Sequence, residues 1–190
     1  MSDRSVRAGA SLLAILTVLV VAACTTGRAP APDEPASIPT PTPRLSRIDK
    51  PLDARGVVAC GLLPQPQLEA IGIDSATATD HSNENASSCR WRTADGSGAM
   101  SFVLNVNQAL SLITQGRDGM QGYLEFALRG YPAIRENSPR ESSCAVYVGI
   151  AESQVFVIDF TTRSSDESVR ACDVAQRGAE AVIDSLSSRS

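Results

Sequence analysis

The chain has 190 residues, 17 basic and 21 acidic, with 43% apolar and only 4% aromatic residues, five cysteines and a single histidine. That length, less a leader and a proline-rich stretch, leaves one domain of roughly 130 residues, large enough to close a core of its own. The acidic balance excludes a nucleic-acid binder, which needs a basic face: 10 basic against 16 acidic residues beyond residue 55 give the domain about −6.

Arg4 and Arg7 precede an apolar run from Ala8 to Val21, which ends in Val21-Ala22-Ala23-Cys24. A basic flank, a short apolar stretch and small residues before the cleavage point are the layout of a secretory signal peptide over 1–23; a spanning helix would need about 20 apolar residues. The cysteine directly after Val-Ala-Ala makes this a lipobox. Its reading is lipidation of Cys24 by diacylation, palmitate-type chains then holding the chain on the extracytoplasmic face of the cell membrane. Two chains suffice for stable attachment, at roughly 0.8 kcal/mol per buried methylene.

Residues 24–55 form the next segment. Seven prolines, from Pro30 to Pro51, lie among Ala, Thr and Ser with little apolar bulk, so a disordered tether with polyproline II character is expected. The domain is assigned to 56–190. Pro64 to Ile71 reads as a short helix with proline in its first turn and Gly72 past its end. Thr79 to Ser88 is polar and reads as a loop.

Ser88–Thr93 and Met100–Asn107 alternate about the turn Asp95-Gly96-Ser97-Gly98 and predict a hairpin. Gln108 to Thr114 is weakly helical, and Gly116, Gly119 and Gly122 follow as a loosened loop. Leu124, Phe126 and Leu128 lead through Gly130-Tyr131-Pro132-Ala133 to Ile134, one strand interrupted by proline. Cys144–Ile150 and Gln154–Thr162 predict a second hairpin. The clearest helix comes last, with Ser164 and Glu167 as a capping box and Val169, Cys172, Ala175 or Gln176, Ala179, Val182 or Ile183 and Leu186 at helical spacing. The sum is an α+β domain: an antiparallel sheet of about five strands, with the short N-terminal helix and the long C-terminal helix on one face.

With Cys24 acylated, Cys60, Cys89, Cys144 and Cys172 remain, an even set in an exported domain and hence two disulfides. Three pairings are possible. We favour Cys60–Cys89 and Cys144–Cys172, each of which fastens a helix end or face to a strand. No C-x-x-C occurs and histidine is single, so no metal site is expected, and no cofactor motif is found.

Catalysis finds little support. His81 is the one candidate base for a serine triad, in Asp80-His81-Ser82-Asn83, and no G-x-S-x-G accompanies it. Asp166 with Glu167, and Glu136 with Glu141, read as helix-terminal and loop charge rather than paired catalytic carboxylates. The three glycines fit neither a dinucleotide nor a P-loop motif. Trp91 shares a strand face with Cys89 and reads as packing on the disulfide. Asn85-Ala86-Ser87, a sequon, carries no weight in a bacterium.

Cys60-Gly61-Leu62-Leu63-Pro64, Cys89-Arg90-Trp91, Gly130-Tyr131-Pro132-Ala133, Ser143-Cys144-Ala145-Val146 and Ala171-Cys172-Asp173-Val174-Ala175, in that order behind a lipobox, resemble an actinobacterial lipoprotein family built on a domain of unknown function, of the LprB and LprC type. The resemblance spans about Cys60 to Leu186. It implies an exported, acylated domain of the cell envelope with no agreed activity. The chain departs from the pattern at Val169-Arg170-Ala171, where an Asp-Pro is expected before Cys172. A looser similarity is to extracellular sensor domains of mycobacterial receptor kinases, which implies at most ligand sensing.

The function expected from these readings is non-enzymatic: an anchored domain that binds an envelope protein or cell-wall partner. The alternative is a carrier or sensor of an apolar or amphipathic, lipid-like small molecule, held between sheet and helices near Gly116–Gly122. A deep apolar pocket would favour the carrier; a filled core beside an exposed patch would favour the partner.

Overall fold

The structure is a computed structural model, and it describes residues 47–138, 142–163 and 168–189, with side chains from 171 onward in the last stretch. Cys24, the leader, most of the tether, the Ser164/Glu167 capping box and Val169's side chain lie outside the described residues. What is described is an antiparallel sheet of seven strands with three α-helices.

The strands are β1 (Ile73–Asp80), β2 (Ser87–Thr93), β3 (Gly98–Asn105), β4 (Leu124–Leu128), β5 (Tyr131–Ser138), β6 (Ser143–Ala151) and β7 (Gln154–Thr162). They lie in the order β1-β2-β3-β7-β6-β5-β4. Two meanders are thus joined edge to edge where β3 pairs with β7, Gly98 to Asn105 against Thr162 to Val155. The helices are α1 (Gln65–Ala70), α2 (Leu110–Thr114) and α3 (Ser168–Ser187). α1 starts behind Pro64 with a proline in its first turn, and Gly72 follows at φ +79, the left-handed position that ends helices.

Two of the seven strands depart from the expected five. β1 falls partly in the stretch read as a loop, and only Ile73 of its residues is buried. It is an edge strand held by backbone pairing to β2, with a register shift between Asp74 and Thr79. The predicted proline-interrupted strand is in fact a hairpin. Arg129 (φ 53) and Gly130 (φ 87) make a two-residue turn between β4 and β5, the type I′ geometry that suits the twist of paired strands. Pro132 then sits beside Ala127 on the edge strand β4.

Alternation sends Cys89 and Trp91, Met100, Phe102 and Leu104, Val146 and Val148, and Phe156, Ile158 and Phe160 to one side of the sheet. α3 covers this side over β5 to β7. α1 and the 3-10 turn Ala59–Gly61 cover it over β1 to β3. The rings of Phe102 and Phe156 meet edge to face at 5.8 Å, the arrangement the ring quadrupoles favour. α3 presents Ala171, Val174, Ala175, Ala179, Val182, Ile183 and Leu186 to the sheet. Gly178 lets it come close: a Cβ there would stand 3.1 Å from Met100 Sδ and 3.2 Å from Ile158 Cγ2.

Residues before 56 also pack on the core. Leu52 and Ala54 are core residues, Leu52 donates its N–H to Ile150 O at 2.9 Å, and Tyr131 donates its hydroxyl to Lys50 O at 2.8 Å. Proline content marks this stretch as tether, but its two apolar side chains find a place at the end of β6.

Candidate functional site

Both disulfides are formed, Cys60–Cys89 and Cys144–Cys172, each with Cα atoms 4.9 Å apart. The first ties the turn before α1 to β2. The second ties β6 to α3. Trp91, 1% exposed, lies on the core side of β2 with Cys89.

The Asp80-His81-Ser82 run does not assemble a triad. Asp80 Oδ1 accepts the Ser82 N–H at 2.7 Å, and the Ser82 hydroxyl, then this N–H, hold the Asp80 carboxyl below the ordinary carboxylate range. The Ser82 hydroxyl accepts the Ser88 N–H at 2.9 Å. Carboxylate and hydroxyl thus shape the turn into β2, and His81 is exposed on it with its own N–H bonded to Ser88 O. Asp166, Glu167 and Glu141 lie outside the described residues. Glu136 is on β5 and meets the Tyr147 hydroxyl, which donates to its Oε2 at 3.3 Å. Asn85 is exposed in the turn, where Asn83 Oδ1 accepts its N–H. Among the described residues no cluster of three or more His, Cys, Asp or Glu side chains could hold a metal, and no helix is long and apolar enough to cross a membrane.

Gly116, Gly119 and Gly122 line none of the described cavities. Gly122 has a packing role, for at φ +58 a Cβ would press within 3.0 Å of Asn137 O. The adjoining Gln121 carbonyl accepts the Asn137 N–H at 2.9 Å. One cavity of about 230 Å³ reaches between α3 and the sheet, at Val174 and Phe160. Another, of about 560 Å³, is lined by Ile48, Pro51, Leu110, Pro132 and Ala151 together with the charged Arg47 and Glu152, among others. A third, of about 330 Å³, is lined by Arg90, Arg92, Gly98, Thr161 and Arg163 among others.

The second side of the sheet carries the remaining chemistry, and pattern reading passed over it. α2 covers one corner, where Leu110 packs on Ile134 and Val155 and touches the bare backbone at Gly149. Beyond that corner the register sets out rows across the strands. Val103, Val157 and Tyr147 stand side by side, and the next row holds Arg90, Ser101, Asp159, Ala145 and Glu136. Val103, Val157, Tyr147, Ser101 and Asp159 are all half-buried, Arg90 exposed. Burial, reinforced by the Glu136 charge, pushes the Tyr147 hydroxyl up to about 12. The face therefore has a short apolar strip bordered by arginine at one end and carboxylates at the other. Alternation in β3 and β7 was the available signal, but it announces only that one side is less apolar.

These features define a class: a disulfide-stapled antiparallel α+β domain with one sheet face under α1 and α3 and a second on which, among the described residues, α2 packs at one corner. The chain belongs to the family described as Protein of unknown function (DUF3558), which it matches over residues 19–185. No curated protein gives a significant match.

Proposed function

We propose that the protein is a membrane-anchored envelope lipoprotein of the LprB and LprC type, acylated at Cys24 and displayed on the extracytoplasmic side, whose domain binds a protein or cell-wall partner through the open sheet face. The observation that carries the binding part is the asymmetry of the sheet. One side is covered by α1 and α3, and the other offers Val103, Val157 and Tyr147 within a border of opposite charges. An apolar centre with a polar rim is the anatomy of a recognition surface. The engagement of Asp80 and Ser82 in turn-forming bonds supports a binding role over a catalytic one.

Two measurements test this. Cys24→Ala should abolish acyl labelling and membrane retention, and unchanged fractionation would overturn the anchor. Cross-linking of the detergent-extracted full chain should join the sheet face to one specific partner, and Val157→Arg should abolish the adduct while leaving the melting profile close to wild type. An adduct indifferent to Val157 overturns the assignment of the face.

The second reading, a carrier for an apolar or amphipathic molecule, draws on the cavity of about 560 Å³ beside Ile48, Pro51, Leu110 and Pro132. That volume falls within the range of small-molecule sites. Native mass spectrometry decides between them: a stoichiometric lipid carried by the extracted protein makes it a carrier, and clean apo protein returns the choice to the partner.

A further inference from the structure

The domain is acidic, yet three of its arginines meet at one cavity. Arg90 and Arg92 are two apart on β2, so both project to the open side, away from Cys89 and Trp91. Arg163 follows β7 and is pinned there, its N–H donated to Ser97 O at 2.9 Å in the β2–β3 turn. All three are exposed and line the cavity of about 330 Å³ with Gly98 and Thr161.

Arg55, Arg117, Arg129 and Arg177 each lie within 4.0 Å of a carboxylate, whereas among the described residues no ion pair involves Arg90, Arg92 or Arg163, nor Arg135 or Arg189. The bordering carboxylates Asp74, Asp95 and Asp159 also accept hydrogen bonds from their own turns and strands. Asp74, opposite Arg92 on β1, accepts the Ala76 N–H at 3.0 Å. Asp95 accepts the Ser97 N–H and hydroxyl at 2.9 and 2.7 Å. Asp159 accepts the Thr161 hydroxyl at 3.2 Å. Three exposed arginines lining one concavity offer it three rigid forks of charged donors, each suited to an oxyanion. One guanidinium already satisfies both oxygens of a carboxylate. Three suit a group with more terminal oxygens and about two charges, which is a phosphate.

We propose that Arg90, Arg92 and Arg163 form a recognition site for a phosphate group carried by the domain's ligand. The site adjoins the open sheet face and so deepens the partner-binding reading, on which it rests for the ligand's biological setting. It is tested separately, because phosphate binding and the Val157-dependent cross-link can fail independently.

The test is calorimetric titration of the detergent-extracted full chain with inorganic pyrophosphate, citrate as the polycarboxylate control, and dihexanoyl phosphatidic acid below its micelle concentration. Saturable binding of one pyrophosphate is expected. Arg90→Gln with Arg92→Gln should weaken it by about tenfold or more, as loss of charge-assisted bonds does, and Arg117→Gln, remote from the cavity, should not. The paired substitutions lie on the exposed side of β2, and an unchanged melting curve will show the fold intact; Arg163→Gln alone is the second variant. Tighter binding of the phosphatidic acid assigns the group to a lipid headgroup, and equal binding assigns it to phosphate as such. No saturable pyrophosphate binding, citrate bound as tightly, or affinity indifferent to all three arginines overturns the proposal.

Discussion

The side-chain carbonyl of Gln154 accepts the backbone N–H of Ala54 at 2.8 Å, across a hundred residues of chain and in the buried interior. Gln154 is 2% exposed, and its amide nitrogen donates to Asp53 Oδ1 at 3.2 Å, so one side chain closes the entry of the chain onto the start of β7. Gln154→Ala leaves the Ala54 N–H without a partner. A cost of about 1–3 kcal/mol is expected, read as a lowered urea midpoint, with enhanced proteolysis before residue 55.

The same contact carries a pH dependence. The Arg55 N–H, then the Gln154 amide, hold the Asp53 carboxyl below its ordinary value. A carboxyl whose folded pKa is depressed adds stability above the unfolded value of 3.8, and that stability is lost as pH falls through the folded value. Acid titration of wild type and Gln154→Ala by circular dichroism should show the variant less sensitive in this window. Identical acid slopes would rule out the coupling.

Each disulfide closes a loop of about 30 residues, the paired cysteines standing 29 and 28 positions apart. Removing either pair by double Cys→Ala substitution should cost about 3–4 kcal/mol in the chain-entropy account. Intact mass should rise by four hydrogens on full reduction of wild type and by two in either double variant. No mass change would contradict both bridges.

Tyr147 and Tyr123 both have hydroxyls raised to about 12, chiefly by burial and then by Glu136 and Glu125, and burial also raises Tyr131. The chain has three tyrosines, so tyrosinate absorbance of the folded protein should lag well behind that of the unfolded chain. A raised folded pKa means stability complete below pH 10 and lost as pH climbs toward 12. Tyr147→Phe should remove one late-titrating group. Ionisation of all three near pH 10 in folded protein would refute this.

Gly178 stands where α3 crosses Met100 and Ile158, with only about 3 Å for a Cβ. Gly178→Val puts a branched side chain into that contact, and the helix must lift from the sheet. Overpacking of this kind costs about 1–3 kcal/mol, measurable as a lower melting temperature. Equal or greater stability would show that the contact can yield.

Much of this architecture was written locally. The spacing of Pro64 and Gly72 marked α1, alternation marked β2, β3, β6 and β7, and helical periodicity marked α3, because each is decided by residues within one or two turns of chain. The even set of cysteines implied two bridges, and the pairing we favoured is the one formed. The candidate site was not legible in this way. Arg90, Arg92 and Arg163 are single charges in three unremarkable contexts, and they meet only because β3 pairs with β7 and draws the two meanders into one sheet.

Tertiary structure alone decided three further matters. β1 is a strand although its sequence, Ile73-Asp74-Ser75-Ala76-Thr77-Ala78-Thr79-Asp80, has no apolar alternation, because an edge strand needs backbone partners more than buried side chains. The β4–β5 turn places Arg129, a non-glycine residue, at positive φ. Its guanidinium reaches Glu180 at 3.5 Å and Asp184 at 3.7 Å on α3, contacts that no local pattern announces. Leu52 and Ala54 join the core only because the end of β6 leaves them room. Short-range propensity and pattern are properties of a segment; strand order, edge pairing and a meeting of distant charges are properties of the packed chain, and they exist only once the long-range hydrogen bonds have formed.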